Sequence, residues 1–223
     1  MGQQIPFCDL YTYLRAFVQI STAIAILGVD FRIFPRRFAK TISYGTSPMD
    51  FGTSMFVFVM GFGIGLFRKQ NYNYSKKSFL QFLYSMTALL ILGFGKPMLM
   101  SIFKYHHELT EYGTHWNFFM TLAVLRIIAF LPSIILILIG IFGTISLASQ
   151  QDLENYLLSD NRNFESLIDS NREGLVSLCG YALILDISRR FGDDIKNLFG
   201  AIPSWKFTAY SFGVLAQHII LLE

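Results

Sequence analysis

The stretch IIAFLPSIILILIGIFGTISL, residues 127–147, contains no charged side chain over 21 positions. An α-helix needs roughly 20 apolar residues to cross a lipid bilayer, so a stretch of this kind predicts membrane-crossing helix. Uncharged stretches of comparable length lie at 16–29, 51–67, 78–95 and 207–222. Together they predict an all-α, polytopic helical membrane protein with about six or seven transmembrane helices.

The composition of the whole chain agrees with this fold class. Of 223 residues, 53% are hydrophobic and 15% are charged, whereas soluble domains carry about 25% charged residues. Little chain remains outside the apolar stretches, so one helical membrane domain, residues 1–223, accounts for all of it. Secreted disulfide scaffolds, coiled coils and cytosolic α/β enzymes are excluded.

Charge and cysteine content exclude further classes. The net charge is +3, but the basic residues lie in short loops between apolar stretches, as is usual in membrane proteins, so no nucleic-acid partner is implied. Cys8 and Cys179 show no metal or redox spacing and are predicted to be unpaired thiols.

The longest apolar region and the weakest one leave the number of spans open. Residues 115–147 are interrupted only by Arg126 and Pro132, and at 1.5 Å per residue they extend about 50 Å, too long for one untilted span and tight for two. The run from Gly174 to Leu185 spans the membrane only if Asp186 is tolerated near a boundary.

Glycines at 52, 61, 63 and 65 predict close helix packing.

The first polar segment lies directly after an apolar stretch. Residues 30–40 place Asp30 and four basic residues within eleven positions. A carboxylate at the C-terminal end of a helix is disfavoured by the helix dipole, so Asp30 is expected to pair with Lys40 or an arginine, and Pro35 would fold the arginines back toward it. The alternative is an ordinary loop whose long basic side chains extend to the lipid headgroups.

Two further polar segments follow. Residues 104–117 contain three of the four histidines, but His106, His107 and Glu108 are contiguous and do not share one helix face, which argues against a metal site. His115, Trp116 and Asn117 are suited equally to capping a helix, contacting headgroups or taking part in chemistry. The third segment begins at Asn171 and, taken alone, indicates only a loop entering a helix.

Taken together, the three segments resemble one family, the PIG-W inositol acyltransferases of glycosylphosphatidylinositol anchor synthesis. The first signature is similar to residues 30–40 with 44–46 and 49–50, the second to residues 111–119, and the third to 171–174 with 180–181. Departures from the family pattern include Phe51-Gly52-Thr53 and Cys179. The chain resembles only the middle half of the family, so the resemblance implies that its helices form an incomplete bundle. Residues 186–223 match no family motif.

The resemblance implies transfer of a long acyl chain, typically palmitoyl from palmitoyl-CoA, to the 2-hydroxyl of inositol in glucosaminyl-phosphatidylinositol. It implies a multi-pass protein of the endoplasmic reticulum membrane, with acyl-CoA as co-substrate and no cofactor or metal. The implied catalytic residues are Asp30 as general base, Lys40 as oxyanion donor and His115 as the alternative base. The implied substrate-binding residues are Arg36, Arg37, Tyr112, Trp116, Asn117, Asn171 and Glu173.

Two alternatives stay open at this stage. The chain is a non-catalytic membrane protein, transporter-like or a packing subunit, in which charges line a pathway, or it is an inactive truncated form of the acyltransferase. A cavity for a 16-carbon chain and two head groups needs walls from several helices, so we expect poor stability and no activity from the 223 residues alone.

The topology expected from the resemblance places the three motif segments on the lumenal side, with residues 115–147 making two short passes that turn near Leu131-Pro132. Residues 68–77, with four basic residues, would then lie in the cytosol. The sequon Asn73-Tyr74-Ser75 is therefore expected to stay unmodified. An endoglycosidase-sensitive mass shift that Asn73→Gln removes would contradict this topology.

Overall fold

The computed structural model describes residues 5–39, 49, 51–67, 76–103, 113–149, 155–157, 159, 163 and 166–201. The regular elements within these ranges are α-helices and one short 3-10 turn, so the all-α prediction is confirmed for the described residues. They are α1 Ile5–Val29, the turn Arg36–Phe38, α2 Phe51–Phe67, α3 Lys76–Phe103, α4 Phe118–Ile128, α5 Ser133–Ser149, α6 Leu167–Ser170 and α7 Arg172–Ala201. The sequon at Asn73 lies outside the described residues.

Two of the described helices are long and apolar enough to cross a membrane, at Cys8–Val29 and Phe82–Met100. Of the most apolar 18 residues in each, only 6% and 11% are buried, so they are not core helices of a soluble domain, whose apolar side chains would be enclosed. Three shorter apolar helices accompany them, Phe51–Phe67, Phe118–Ile128 and Ser133–Leu147. The membrane character is supported, and the count of six or seven spans is not confirmed.

The long apolar region 115–147 forms two helices. α4 ends at Ile128 and α5 begins at Ser133, with Pro132 between them. Proline lacks the N–H that would continue the helix and disfavours helical backbone at the preceding residue. The expected turn near Leu131-Pro132 is therefore confirmed, and two helices of 11 and 17 residues share the region.

α7 is the central helix of the bundle, although its sequence was interpreted as a weak apolar run. It continues as one helix for 30 residues, with Asp186 buried in its middle rather than near a boundary. Four helices, α2, α4, α5 and α7, enclose the apolar core, which consists of Val57, Leu125, Leu136, Ala182 and Leu185.

Asp186 is tolerated inside α7 because its charge is paired. Oδ1 accepts a hydrogen bond from Arg189 at 2.5 Å, and Oδ2 accepts one from Arg190 at 2.8 Å. Arg189 also donates to the carbonyl oxygens of Ala129 and Leu131, at 3.1 and 3.3 Å, which end α4. A cation at the C-terminus of a helix satisfies unpaired carbonyls and opposes the negative end of the helix dipole.

Glycines allow α2 to contact α7 closely, as the sequence predicted. A Cβ added at Gly61 would lie 2.6 Å from the Leu185 carbonyl oxygen, and one added at Gly65 would overlap the Arg189 carbonyl oxygen. On α7, a Cβ at Gly192 would overlap the Phe62 carbonyl oxygen. Small residues spaced in this way let two membrane helices approach backbone to backbone.

The contacts between helices place the three polar segments at one end of the bundle. α1 and α2 are antiparallel, because Gly52 lies near Thr22 and Gly63 near Tyr11. α2 and α7 are parallel, because Gly61 faces Leu185 while Gly65, one turn later, faces Arg189. Residues 30–39, 113–117 and 166–173 therefore share a side, and their lumenal placement stays a prediction.

Candidate active site

The second and third polar segments form one hydrogen-bonded unit. We call residues 113–117 the histidine loop. Asn171 Oδ1 accepts hydrogen bonds from the backbone N–H groups of His115, at 2.9 Å, and Trp116, at 2.8 Å. The Thr114 N–H donates to the Ser170 carbonyl oxygen at 2.9 Å. Two segments 55 residues apart in sequence are thus joined at the start of α7.

Gly113 lets the histidine loop lie against the end of α6. Its φ is +98°, in the region that side chains strongly disfavour. A Cβ there would also lie 2.5 Å from the Ser170 carbonyl oxygen and 2.6 Å from Asn171 Cα. Both the backbone conformation and the space therefore require glycine at this position.

Asn117 joins the histidine loop to two helices. Its Oδ1 accepts from the N–H groups of Phe119, at 3.0 Å, and Met120, at 3.1 Å, and so caps the N-terminus of α4. Its Nδ2 donates to the Gly93 carbonyl oxygen in α3 at 2.6 Å. The Asn117 side chain was expected to bind substrate or to cap a helix, and the structure shows the cap.

Asn171 makes four hydrogen bonds within the protein. Besides the two that its oxygen accepts, its Nδ2 donates to the Leu167 carbonyl oxygen at 2.9 Å and to Ser170 Oγ at 3.2 Å. A primary amide offers two donors and two acceptor lone pairs, so these contacts use its full capacity. With 5% of its surface exposed, Asn171 holds the histidine loop in place.

The two aromatic residues of the histidine loop differ in exposure. His115 is exposed and Trp116 is half-buried. The Trp116 indole N–H donates to Thr121 Oγ1 at 2.9 Å, on the first turn of α4. The backbone of His115 is therefore fixed by Asn171 while its imidazole lies at the surface, where it can meet a second molecule.

Arg172 is a central residue for which the sequence predicted no role. It is 2% exposed, its Nη1 pairs with Asp169 at 3.0 Å, and its guanidinium lies 4.5 Å from the Tyr156 ring centroid. It also donates to the Ser159 carbonyl oxygen and lies 3.7 Å from the Glu173 carboxylate. The sequence signal for it was its place inside the third motif.

Electrostatics around Arg172 favour the charged form of Asp169. The Tyr156 hydroxyl donates to Asp169 at 2.5 Å, and this hydrogen bond, followed by the Asn163 N–H and by Arg172, lowers the pKa of the Asp169 carboxyl. The same hydrogen bond raises the pKa of the Tyr156 phenol. A hydrogen-bonded carboxylate beside a guanidinium fastens the loop before α6 to the start of α7.

The first polar segment folds back on α1, as expected from Pro35, but its arginine binds a backbone carbonyl oxygen rather than Asp30. Arg36 Nη1 donates to the Val29 carbonyl oxygen at 3.0 Å, one of the unpaired carbonyls at the end of a helix. The Arg37 guanidinium lies 4.9 Å from the Phe38 ring centroid. Asp30 is exposed and, within the ranges that the structure describes, forms no ion pair.

The structure therefore brings some expected site residues together and leaves others apart. His115, Trp116, Asn117, Asn171 and Glu173 belong to one contact network, while Asp30, Arg36 and Arg37 form a second group at the same end of the bundle. Lys40, Tyr112 and the segment His106-His107-Glu108 lie outside the described residues. Among the side chains that are described, no group of three or more His, Cys, Asp and Glu is placed to hold a metal ion.

These features define a helical membrane protein with its polar motif segments gathered at one end of the helices. The model of the GWT1 family matches residues 2–209. The chain belongs to the GWT1 family, which confirms the family resemblance found in the three motifs.

Relatives from fungi and mammals match across most of the chain. It is 36% identical over 215 residues to GPI-anchored wall transfer protein 1 of Debaryomyces hansenii, covering 87% of this chain and 43% of that protein. It is 40% identical over 183 residues to human glucosaminyl-phosphatidylinositol-acyltransferase PIGW, covering 76% and 36%. The mouse protein of that name is 34% identical over 229 residues, covering 95% and 45%. The chain spans less than half the length of these relatives.

Proposed function

We propose that this chain forms the reacting part of an inositol acyltransferase of glycosylphosphatidylinositol anchor synthesis. The reaction moves a palmitoyl chain from palmitoyl-CoA to the 2-hydroxyl of inositol in glucosaminyl-phosphatidylinositol. The observation that carries the proposal is the union of the second and third motifs, through Asn171 and the histidine loop, at the end of the bundle where the first motif also lies. The names of the human and mouse relatives indicate the reaction class and the acceptor lipid.

The first motif supplies the residues suited to proton transfer. A carboxylate takes the proton of the inositol hydroxyl, whose oxygen attacks the thioester carbonyl carbon; the tetrahedral oxyanion then collapses, and the coenzyme A thiolate leaves and is protonated. We assign the base to Asp30, whose carboxylate is exposed, and the oxyanion donor to Lys40. His115 is the alternative base, because its backbone is held rigidly and its ring is exposed.

Binding of the two substrates is assigned to cationic and aromatic side chains. Arg36 uses one N–H on the Val29 carbonyl oxygen, and its other donors, with those of Arg37, suit a lipid phosphate or the coenzyme A diphosphate. Tyr112, Trp116 and Glu173 are assigned to head-group contacts. Asn117 and Asn171, whose amides are bonded within the protein, are reassigned from substrate binding to positioning.

The cellular setting belongs to the same proposal. The protein lies in the endoplasmic reticulum membrane as a multi-pass bundle with six or seven spans, where its acceptor is a membrane lipid and its donor is acyl-CoA. The exposed apolar side chains of α1 and α3 suit such a setting, because lipid tails cover apolar surface that water would not.

A chimera tests this function directly. The chain replaces the matching segment of the Debaryomyces hansenii relative, and membranes containing the chimera receive labelled palmitoyl-CoA and glucosaminyl-phosphatidylinositol. We expect labelled acyl-inositol lipid from the chimera and none from the 223-residue chain alone, because a cavity for both substrates needs walls from several helices.

The controls separate an enzyme from a transporter-like or packing subunit. The unmodified relative sets the full rate, and release of the label by alkali shows an ester bond. A chimera that accumulates in membranes at the level of the relative but transfers no label would overturn the proposal. Transfer by the isolated chain at a rate near that of the relative would show that the expected incompleteness is wrong.

A further inference from the structure

α3 contains a proline whose effect on the backbone is compensated by a distant residue. Pro97 lies inside the helix Lys76–Phe103. In an α-helix the N–H of residue 97 would bind the carbonyl oxygen of residue 93, but proline has no N–H, so the helix leaves the Gly93 carbonyl without its usual donor. Within a membrane such a carbonyl needs another partner, because lipid tails offer none.

That partner is the side chain of Asn117. Its Nδ2 lies 2.6 Å from the Gly93 carbonyl oxygen, while its Oδ1 caps α4 through Phe119 and Met120. Asn117 is 5% exposed, so no solvent substitutes for either contact. One amide therefore meets the unpaired groups of two helices at once.

Gly93 permits the approach that this contact requires. A Cβ at that position would lie 3.0 Å from Met120 Cγ and 3.5 Å from the Met120 nitrogen. The first turn of α4 thus packs directly on the α3 backbone, one helical turn before Pro97. Three features therefore coincide here: the N–H that Pro97 lacks, the small side chain of Gly93, and the Asn117 amide, which bonds from α4 to α3.

We propose that Pro97 and Asn117 are a coupled positioning pair for the histidine loop. Pro97 frees the Gly93 carbonyl so that Asn117 binds it, and this bond fixes the C-terminal end of the loop to α3. Asn171 fixes the middle of the same loop to α7. The inference concerns how the loop is held, and it stands whether or not the chain transfers an acyl group.

The test separates the two functions of Asn117. Serine keeps the cap, because Ser and Asn are equally good N-caps, but its hydroxyl is too short to reach Gly93. Asn117→Ser is expected to raise the hydrogen-exchange rate of the amides of 113–121 by roughly 5- to 150-fold, the range for an unmet buried hydrogen bond. Pro97→Ala restores an N–H to the Gly93 carbonyl, so Pro97→Ala with Asn117→Ser is expected to return the exchange rate close to that of Pro97→Ala alone.

The measurement uses the full chain in lipid nanodiscs, with Trp116 emission as a second signal in a Trp205→Phe background, since the chain has two tryptophans. Asn171→Ser serves as the matched control. It loosens the histidine loop from the α7 side, so Pro97→Ala is not expected to rescue it.

Two results would overturn the pairing. One is that Asn117→Ser raises the exchange rate by the same factor whether residue 97 is proline or alanine. The other is that Pro97→Ala lowers the exchange rate of Asn171→Ser as much as it lowers that of Asn117→Ser. If Asn117→Ser does not accumulate as folded protein, the double variant is still expected to do so. Failure of both to accumulate beside a stable Pro97→Ala would equally overturn the proposal.

Discussion

Replacing Asp30 by asparagine is expected to lower acyl transfer by about 10²- to 10⁴-fold, the usual contribution of a general base. The substitution keeps the shape of the side chain and removes its ability to accept the inositol proton. The experiment uses the chimera with the Debaryomyces hansenii relative, so that activity exists before the change is made. Turnover is measured per molecule of chimera, with saturating labelled palmitoyl-CoA.

Protein abundance distinguishes a catalytic from a structural role of Asp30. The side chain is exposed and has no ion pair among the described residues, so Asp30→Asn is expected to leave the amount of folded chimera unchanged. Arg36→Lys is the matched comparison in the same segment. It is expected to raise the Michaelis constant more than it lowers turnover, because a bidentate fork becomes a point charge.

Unchanged acyl transfer in Asp30→Asn would point to the alternative base, His115. Normal turnover per molecule in Asp30→Asn would end its assignment as base. His115→Ala would then be expected to abolish transfer, since among the described residues at this end of the bundle the exposed His115 is the alternative base. Loss of abundance with normal turnover would mean that Asp30 only stabilises the end of α1.

Arg189→Met is expected to destabilise the folded chain by about 3–5 kcal/mol, the usual cost of removing one partner from a buried ion pair. Arg189 is 4% exposed and binds Asp186, Ser133 and the carbonyl oxygens that end α4. Methionine preserves much of the side-chain volume and removes all of these hydrogen bonds. Thermal unfolding in detergent, followed by circular dichroism, measures the change.

The neighbouring arginine provides a matched control. Arg190 binds the same carboxylate, but 54% of its side chain is exposed, and exposed ion pairs contribute only about 0–1 kcal/mol. Arg190→Met is therefore expected to change stability far less than Arg189→Met. Adding Asp186→Asn to Arg189→Met is expected to recover part of the loss, because the buried carboxylate charge, which would keep only the exposed Arg190 as its partner, is then removed. Equal effects of the two arginine changes would contradict this account.

Much of the local structure followed from the order of residues alone. The uncharged stretches predicted the helices, Pro132 predicted the turn between α4 and α5, and the glycines of α2 predicted close packing. The motifs predicted the family and most of the residues that gather in the histidine loop and before α7. Each of these features depends on only a few neighbouring residues: the length of an apolar stretch, the N–H that proline lacks, or the Cβ that glycine lacks. The sequence therefore determines them directly.

Other features were decided only by which helices become neighbours. The hydrophobicity of residues 174–185 predicted only a weak membrane span, yet α7 is the central helix. Asp186 is accommodated there because it pairs with Arg189, which also binds the ends of α4 and α5. Asn117 was expected to cap a helix or to contact substrate, and besides the cap it binds a carbonyl that Pro97 leaves free in α3, which the sequence did not predict. A buried polar group is stable only beside its partners. Asp186 and Arg189 share α7, but the other oxygens that Arg189 binds, and the carbonyl oxygen that Asn117 binds, belong to other elements. Their contribution therefore arises from tertiary packing, which brings Gly93 to Asn117 and the α4–α5 turn to Arg189.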